Sequence, residues 1–312
     1  MRLRSVRESS MAELQERTSS LVVACGYEHR SQGVSRGLTV LPGDLQALCF
    51  REHSTQIARP DNEAFFKAAG FHLHDVGSAD SAHVQQITNK VLQRSGESGR
   101  AVAFDISTMT RAWHGAIVRQ IRLGNYGQQL ETFFAYAPAS FVVPHSSAIP
   151  NEFVSPVDGF ASLSTPDKPV AAIIGLGYDK DGALGLQQLL DPALTVLLVP
   201  NAGAGDKYHP WVIKNNREVL QRTPEEWIFE YSITEAASTF SMLASIVSGI
   251  RPSYRIVLAS LGPKIFGLLC FLLASRFPEL SVWRISSGVH SRPRDSVANL
   301  DQIVVLDVTW EV

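Results

Sequence analysis

Short apolar, β-branched runs alternate along this chain with longer segments whose apolar positions recur at helical spacing. The segments 20–28 and 170–179 open alike: each is a β-branched run that ends at Gly-Tyr-acid, as Gly26-Tyr27-Glu28 and Gly177-Tyr178-Asp179, 151 residues apart. Three further pairs of runs follow in the same order, at 45–50 and 194–199, 101–104 and 255–259, and 132–136 and 280–284. Runs of this length between helical segments predict parallel strands buried on both faces. The chain therefore reads as α/β, two Rossmann-like units with mainly parallel sheets related by pseudo-two-fold symmetry. Prolines at 138, 144, 150, 156, 166 and 169 suit neither helix nor central strand and predict a connector. The expected division is 1–18 as an N-terminal extension, 19–150 as the first unit, 151–168 as a linker and 169–312 as the second unit.

Composition narrows the class. With 45% hydrophobic residues in 312, the chain has material for a large core, and a net charge of −2 disfavours a broad nucleic-acid-coating face. Cys25, Cys49 and Cys270 lie in apolar stretches without CxxC spacing. They read as small buried hydrophobes in a reducing compartment, and the expected location is cytoplasmic. The basic start of the chain runs into Glu8-Ser9-Ser10 with no apolar stretch of a secretory signal, and Met11 is an alternative start. The mostly apolar window 256–274 raises the membrane question, but Gly262-Pro263-Lys264 lies inside it, so strand, loop and buried helix are expected.

In an open parallel sheet, ligands meet the loops at the carboxyl ends of the strands. Four loops qualify. Gly26, Tyr27, Glu28 and Arg30 follow the first strand and offer a tight exit, a stacking face and two charges; the alternative is an ordinary helix start. Asp105, Ser107, Thr108 and Arg111 crowd the next, where hydroxyls and a guanidinium suit phosphate, unless Ser107 or Thr108 merely caps the helix expected at 112–123. Gly262 and Lys264 occupy the equivalent loop of the second half, beside Ser260, and lack the GxxxxGK[ST] pattern because Phe266 stands where Ser or Thr is required. The loop at 200–211 brings Asn201 and the rings of Tyr208, His209 and Trp211 before a helix expected at 212–220, with Asn215 and Asn216 as weaker candidates.

Nine dispersed histidines, of which His72 and His74 alternate as on a strand, show no zinc spacing, and no GxSxG elbow occurs. Gly175-Leu-Gly177 lacks the third glycine of a dinucleotide fingerprint, position 180 being Lys. No metal and no cofactor is expected.

Tandem Rossmann-like halves, with Ser107, Thr108 and Arg111 in one strand-end loop and Gly262-x-Lys264 in the other, resemble CARF and SAVED domains, the nucleotide-sensing domains of prokaryotic antiviral systems. The resemblance spans 20–312; Gly262 and Lys264 match the Gly-x-Lys of the fourth-strand loop, and Ser107, Thr108 and Arg111 occupy its counterpart. Gly-Tyr-acid departs from the polar Ser/Thr usual after the first strand, which leaves the ligand's identity open. The resemblance implies a sensor or regulator that holds a nucleotide or oligonucleotide between the halves, with Arg111 and Lys264 on phosphates. It also implies an effector protein partner, since no nuclease, protease or membrane effector is fused, and leaves a homodimer open. The alternatives are an enzyme cleaving a nucleotide phosphodiester or glycosidic bond, with Asp105 and Glu28 (and Asp179) as its carboxylates, and a non-catalytic interaction scaffold. The asymmetry of Asp105 and Arg111 against Ser260 and Lys264 predicts a reactive first half and an anion-anchoring second half.

Overall fold

The computed structural model describes residues 1–143, 153–161, 167–201, 203, 206–286 and 294–312. The chain folds into two compact units, Met1–Ser140 together with Arg292–Val312, and Phe141–Ser291.

The first unit runs β1 (Arg2–Ser9), α1 (Met11–Arg17), β2 (Thr18–Cys25), α2 (Gly33–Gly37), β3 (Asp44–Phe50), α3 (Arg59–Ala68), β4 (His72–Val76), α4 (Ser81–Ser98), β5 (Ala101–Asp105), α5 (Arg111–Leu123) and β6 (Gln129–Tyr136). The strand closing the chain, β13 in chain order (Val304–Glu311), completes its sheet. The order is β1-β13-β6-β5-β2-β3-β4, in which β2 to β6 are parallel and β13 and β1 antiparallel. Local sequence accounts for the elements. In α4, Val84, Ile87, Thr88, Val91, Leu92 and Ser95 form one buried stripe; Asp80 caps its start through the His83 amide, and Gly99, at φ 65°, ends it. The central strands β2 and β5 are buried almost throughout, as parallel strands covered on both faces must be.

The second unit runs β7 (Phe153–Pro156), β8 (Val170–Gly175), α6 (Gly182–Leu190), β9 (Leu194–Asn201), α7 (His209–Asn215), α8 (Arg217–Arg222), β10 (Ile228–Ser232), α9 (Ala236–Ile250), β11 (Arg255–Ser260), α10 (Lys264–Arg276) and β12 (Ser281–Ser286). Its order is β10-β9-β8-β11-β12-β7, with only β7 antiparallel. The apolar window 256–274 resolves into β11, a turn and α10, whose residues from Ile265 to Ser275 are all buried. Among the described residues no helix is long and apolar enough to cross a membrane.

Both sheets share one winding. Strands β4-β3-β2-β5-β6 in the first correspond in order and direction to β10-β9-β8-β11-β12 in the second, a Rossmann-like arrangement. Each of the four paired sequence runs lies on a matching strand.

The expected boundaries need correction. Residues 1–18 are no extension: β1 is an edge strand on β13, and α1 leads directly into β2. The C-terminal segment belongs to the first unit, because β13 pairs along its length with β6 on one side and β1 on the other. Part of the expected linker is structural too, since β7 caps β12 and Val157 and Phe160 continue that pairing through Val282. Pro156 sits on this edge strand, where a missing N–H costs no ladder bond. Pro144, Pro150 and Pro166 lie outside the described residues, as do Ala202, Ala204 and Gly205 of the 200–211 loop.

Candidate functional site

In the first unit, a sharp turn carries the chain out of β2. The Gly26 amide donates to Ser31 Oγ at 3.1 Å, Ser31 Oγ meets Thr108 Oγ1 at 3.1 Å, and Thr108 Oγ1 donates to the Ala24 carbonyl at 3.2 Å. This relay binds the loop after β2 to the loop after β5. From α3, the buried Asn62 donates Nδ2 to the carbonyls of Gly26 and Glu28 at 2.8 and 2.9 Å, while its Oδ1 accepts from Gln32 at 2.8 Å.

The turn positions two charges. Arg30 Nε donates to Glu28 Oε2 at 2.6 Å, and the two side chains are only 9% and 16% exposed. Tyr136, at the end of β6, is buried within electrostatic reach of Arg30. Burial works against the Arg30 charge, but Glu28 and Tyr136 outweigh it and hold the guanidinium above its ordinary range. Burial likewise pushes the Tyr136 phenol up, against the pull of Arg30 and, more weakly, Arg111. Burial, with Glu28 adding to it, raises Tyr27 to about 12; its ring meets His53 edge-on, with centroids 5.5 Å apart. Ser296 and Asp295 lace the turn from the C-terminal segment: Ser296 Oγ donates to Glu28, the Arg30 amide to the Ser296 carbonyl at 2.9 Å, and the His29 amide to Asp295 at 3.0 Å.

In the loop after β5, the buried Asp105 accepts at Oδ1 from the Ser107 amide (2.9 Å) and from Ser107 Oγ. Ser107 Oγ accepts in turn from the Ala137 amide at 2.8 Å. Asp105, Ser107 and Thr108 thus shape the loop. Neither Ser107 nor Thr108 caps α5; Thr110 does so, its Oγ1 accepting from the Trp113 amide at 3.2 Å, because it alone directly precedes the first helical turn. The helix starts one residue earlier than expected, at Arg111, which places that guanidinium within electrostatic reach of Tyr136.

In the second unit, the loops after β8 and β11 interlock. A Cβ on Gly177 would lie 2.1 Å from the Leu261 carbonyl oxygen, and a Cβ on Gly262 2.1 Å from that of Leu176. Both positions require glycine because backbone meets backbone there. Tyr178 follows the first glycine, is 43% exposed and stacks on Tyr208 at 5.9 Å with an 18° interplanar angle. Phe141 packs edge-on against the other ring of the pair, Tyr208, at 4.8 Å. Lys264 begins α10 two residues beyond Gly262. The fold therefore gathers an aromatic face, a cation and the N-terminus of a 13-residue helix. Asp179 is exposed on the same loop. Asn215, the last residue of α7, and Asn216 just beyond it hold that loop by donating to the carbonyls of Tyr178 and Gly177, the latter at 2.7 Å. Asn201 closes its own turn, accepting from the Gly203 amide at 2.8 Å and donating to Glu230 at 3.1 Å. The helix expected at 212–220 is two, α7 and α8, joined at Asn216.

The structure thus brings Gly26, Tyr27, Glu28, Arg30, Ser107, Thr108 and Arg111 together around the strand ends of the first unit. Gly177, Tyr178, Gly262 and Lys264 gather in the second, with Asn201 set apart on the β9 turn. Sequence reasoning missed Asn62, Tyr136, Asp295 and Ser296. Asn62 follows Pro60 by two positions and Asn216 follows Pro210 by six, so no shared spacing marked the pair in the sequence. Among the described residues no group of three or more His, Cys, Asp or Glu is placed to hold a metal ion. No family model matches the chain, and no curated protein matches it.

Proposed function

We propose that the chain is a nucleotide- or oligonucleotide-binding sensor of a prokaryotic antiviral system, passing its signal to an effector partner, as the likeness to CARF and SAVED domains implies. The observation that carries the ligand class is the interlocked pair of loops in the second unit. Tyr178 presents a partly exposed ring for a nucleobase, and the adjoining turn ends at Lys264 and a helix N-terminus, both suited to phosphate. Arg111, at the start of α5, is the matching cation of the first unit. The repeated strand order supports an origin by duplication, with the pseudo-two-fold relation of the halves as part of the same proposal.

Equilibrium binding to a panel of mononucleotides and of linear and cyclic oligonucleotides tests this reading. Lys264→Ala removes one charged hydrogen bond of about 1.5–3 kcal/mol and is expected to weaken binding roughly 10- to 150-fold. Tyr178→Ala is expected to weaken it while Tyr178→Phe keeps it, because stacking needs only the ring. No binding by the wild type at millimolar nucleotide, or equal affinity for Lys264→Ala, would overturn the proposal.

A further inference from the structure

Two of the three cysteines, 24 positions apart in sequence, lie directly opposite each other: in the ladder between β2 and β3, Cys25 pairs with Cys49. Opposed residues of parallel neighbours share a face, and both side chains enter the same apolar cluster, at 0% and 5% exposure. Adjacent strands run about 4.7–4.9 Å apart, within the ~4.4–6.8 Å between Cα atoms that a disulfide spans. Arg59, the first residue of α3, is 4% exposed; its Nε has no hydrogen-bond partner among the described residues, although Nη1 reaches Glu63. Its charge acts on both sulfurs. The Cys49 thiol donates to the Ala47 carbonyl at 3.6 Å. Interaction between the two neighbouring thiols sets them apart: it holds Cys49 below the ordinary thiol range, with help from Arg59 and against burial, and with burial drives Cys25 far above it. Leu176 occupies the position 151 residues beyond Cys25, so the pair belongs to the first unit alone.

We propose that Cys25 and Cys49 are a redox modification site, a dithiol that hydrogen peroxide converts into an intramolecular disulfide at the root of the Gly26 turn. The Cys49 thiolate attacks peroxide, breaking the O–O bond to give a sulfenic acid and hydroxide. The Cys25 thiol then condenses with it, forming the S–S bond and releasing water, while the hydroxide takes up the proton that Cys49 lost. Two thiols are oxidised by two electrons and one peroxide is reduced to two waters. A metal site would need further ligands, and no third His, Cys, Asp or Glu joins the pair among the described residues. The inference does not depend on the ligand reading above.

The folded full-length protein is treated with hydrogen peroxide, quenched with an alkylating reagent under denaturing conditions and mapped by mass spectrometry. The expected product has lost two hydrogens, carries a Cys25–Cys49 cross-linked peptide and is alkylated only at Cys270. Cys25→Ser, lacking the resolving thiol, should accumulate a dimedone adduct at Cys49, and Arg59→Gln should slow the reaction several-fold. Alkylation of all three cysteines under conditions that oxidise the denatured chain would overturn the proposal. So would a cross-link involving Cys270, or a Cys25→Ser protein with no adduct at Cys49.

Discussion

Asn62 and Asn216 hold equivalent places in the two units: each donates its side-chain amide to the carbonyl of the glycine in a Gly-Tyr-acid turn, at 2.8 Å to Gly26 and 2.7 Å to Gly177. Both are buried and both come from the segment following the second parallel strand. Replacing either with alanine strands a buried carbonyl, which costs about 1–3 kcal/mol. Asn62→Ala should cost more than Asn216→Ala, because Asn62 also serves Glu28 and accepts from Gln32. Urea unfolding of the two variants measures the difference; a loss below a few tenths of a kcal/mol would refute the anchoring role.

The interlocking of Gly177 and Gly262 predicts a sharp contrast among glycines of one unit. Alanine at either would bring a Cβ to 2.1 Å from a backbone oxygen, so the two loops must part. Gly185, inside α6, has nothing within 4 Å of its added Cβ. Gly177→Ala and Gly262→Ala should each destabilise by more than 1 kcal/mol, whereas Gly185→Ala should stabilise by about 0.5–1 kcal/mol through helix propensity. Thermal melts of the three variants decide this. If the loops bind a ligand, the first two should also lose affinity.

What the sequence disclosed and what it hid have physical reasons. Strands β2, β3, β5 and β6 and their partners β8, β9, β11 and β12 were legible because central parallel strands are apolar on both faces, an unbroken signal in one dimension. β4 and β10 were weaker, since His72, His74 and Asp75 in one and Glu230 in the other interrupt the apolar run. β13 was hidden for a different reason: its neighbours β1 and β6 lie at the far end and middle of the chain, and no local pattern reports register. The glycines of the strand-end loops were legible as special positions. Their cause was not, because Gly177 and Gly262 yield to each other's backbone and Asp105 to the Ser107 amide, contacts that only folding creates.

Acid should weaken the first unit through His74. Burial, followed by the charges of His72, His83 and Lys90, lowers it from 6.5 to about 4, with Asp44 opposing. Its Nε2 meets Gln46 Oε1 at 2.7 Å, and the rings of His72 and His83 lie 4.5 and 6.4 Å away. Between pH 6.5 and 4 the unfolded chain binds a proton at this site that the folded chain refuses. The contribution of His74 is therefore complete above pH 6.5 and falls as pH drops toward 4. Urea unfolding across that window should show stability declining with acid, and His74→Gln should flatten the decline. An unchanged slope in the variant would exclude His74 as its source.

The C-terminal strand β13 shares an edge of the first sheet with β1, at the start of the chain. Asp307, on β13, is fully buried, and its Oδ2 accepts from Arg7 Nε of β1 and from Arg17 Nη1, each at 2.9 Å. Its Oδ1 has no hydrogen-bond partner among the described residues, so the two arginines carry the neutralisation of this carboxylate. Arg7 is half exposed and screened, and Arg7→Ala alone should cost about 1 kcal/mol. Arg17 also pairs with Glu131 and lies over the Phe133 ring, 5.3 Å from its centroid, so Arg17→Ala should cost more. With both removed, a buried charge stands alone, which costs about 3–5 kcal/mol. The double variant should therefore lose more than the sum of the single variants, since each arginine covers for the other. Adding Asp307→Asn to the double variant removes the stranded charge and should restore most of that excess. A chain shortened to begin at Met11 loses Arg7 and every β1 ladder bond at once, and should unfold at lower urea than Arg7→Ala. Strict additivity of the single variants, or no rescue by Asp307→Asn, would show that the carboxylate draws its stability from elsewhere.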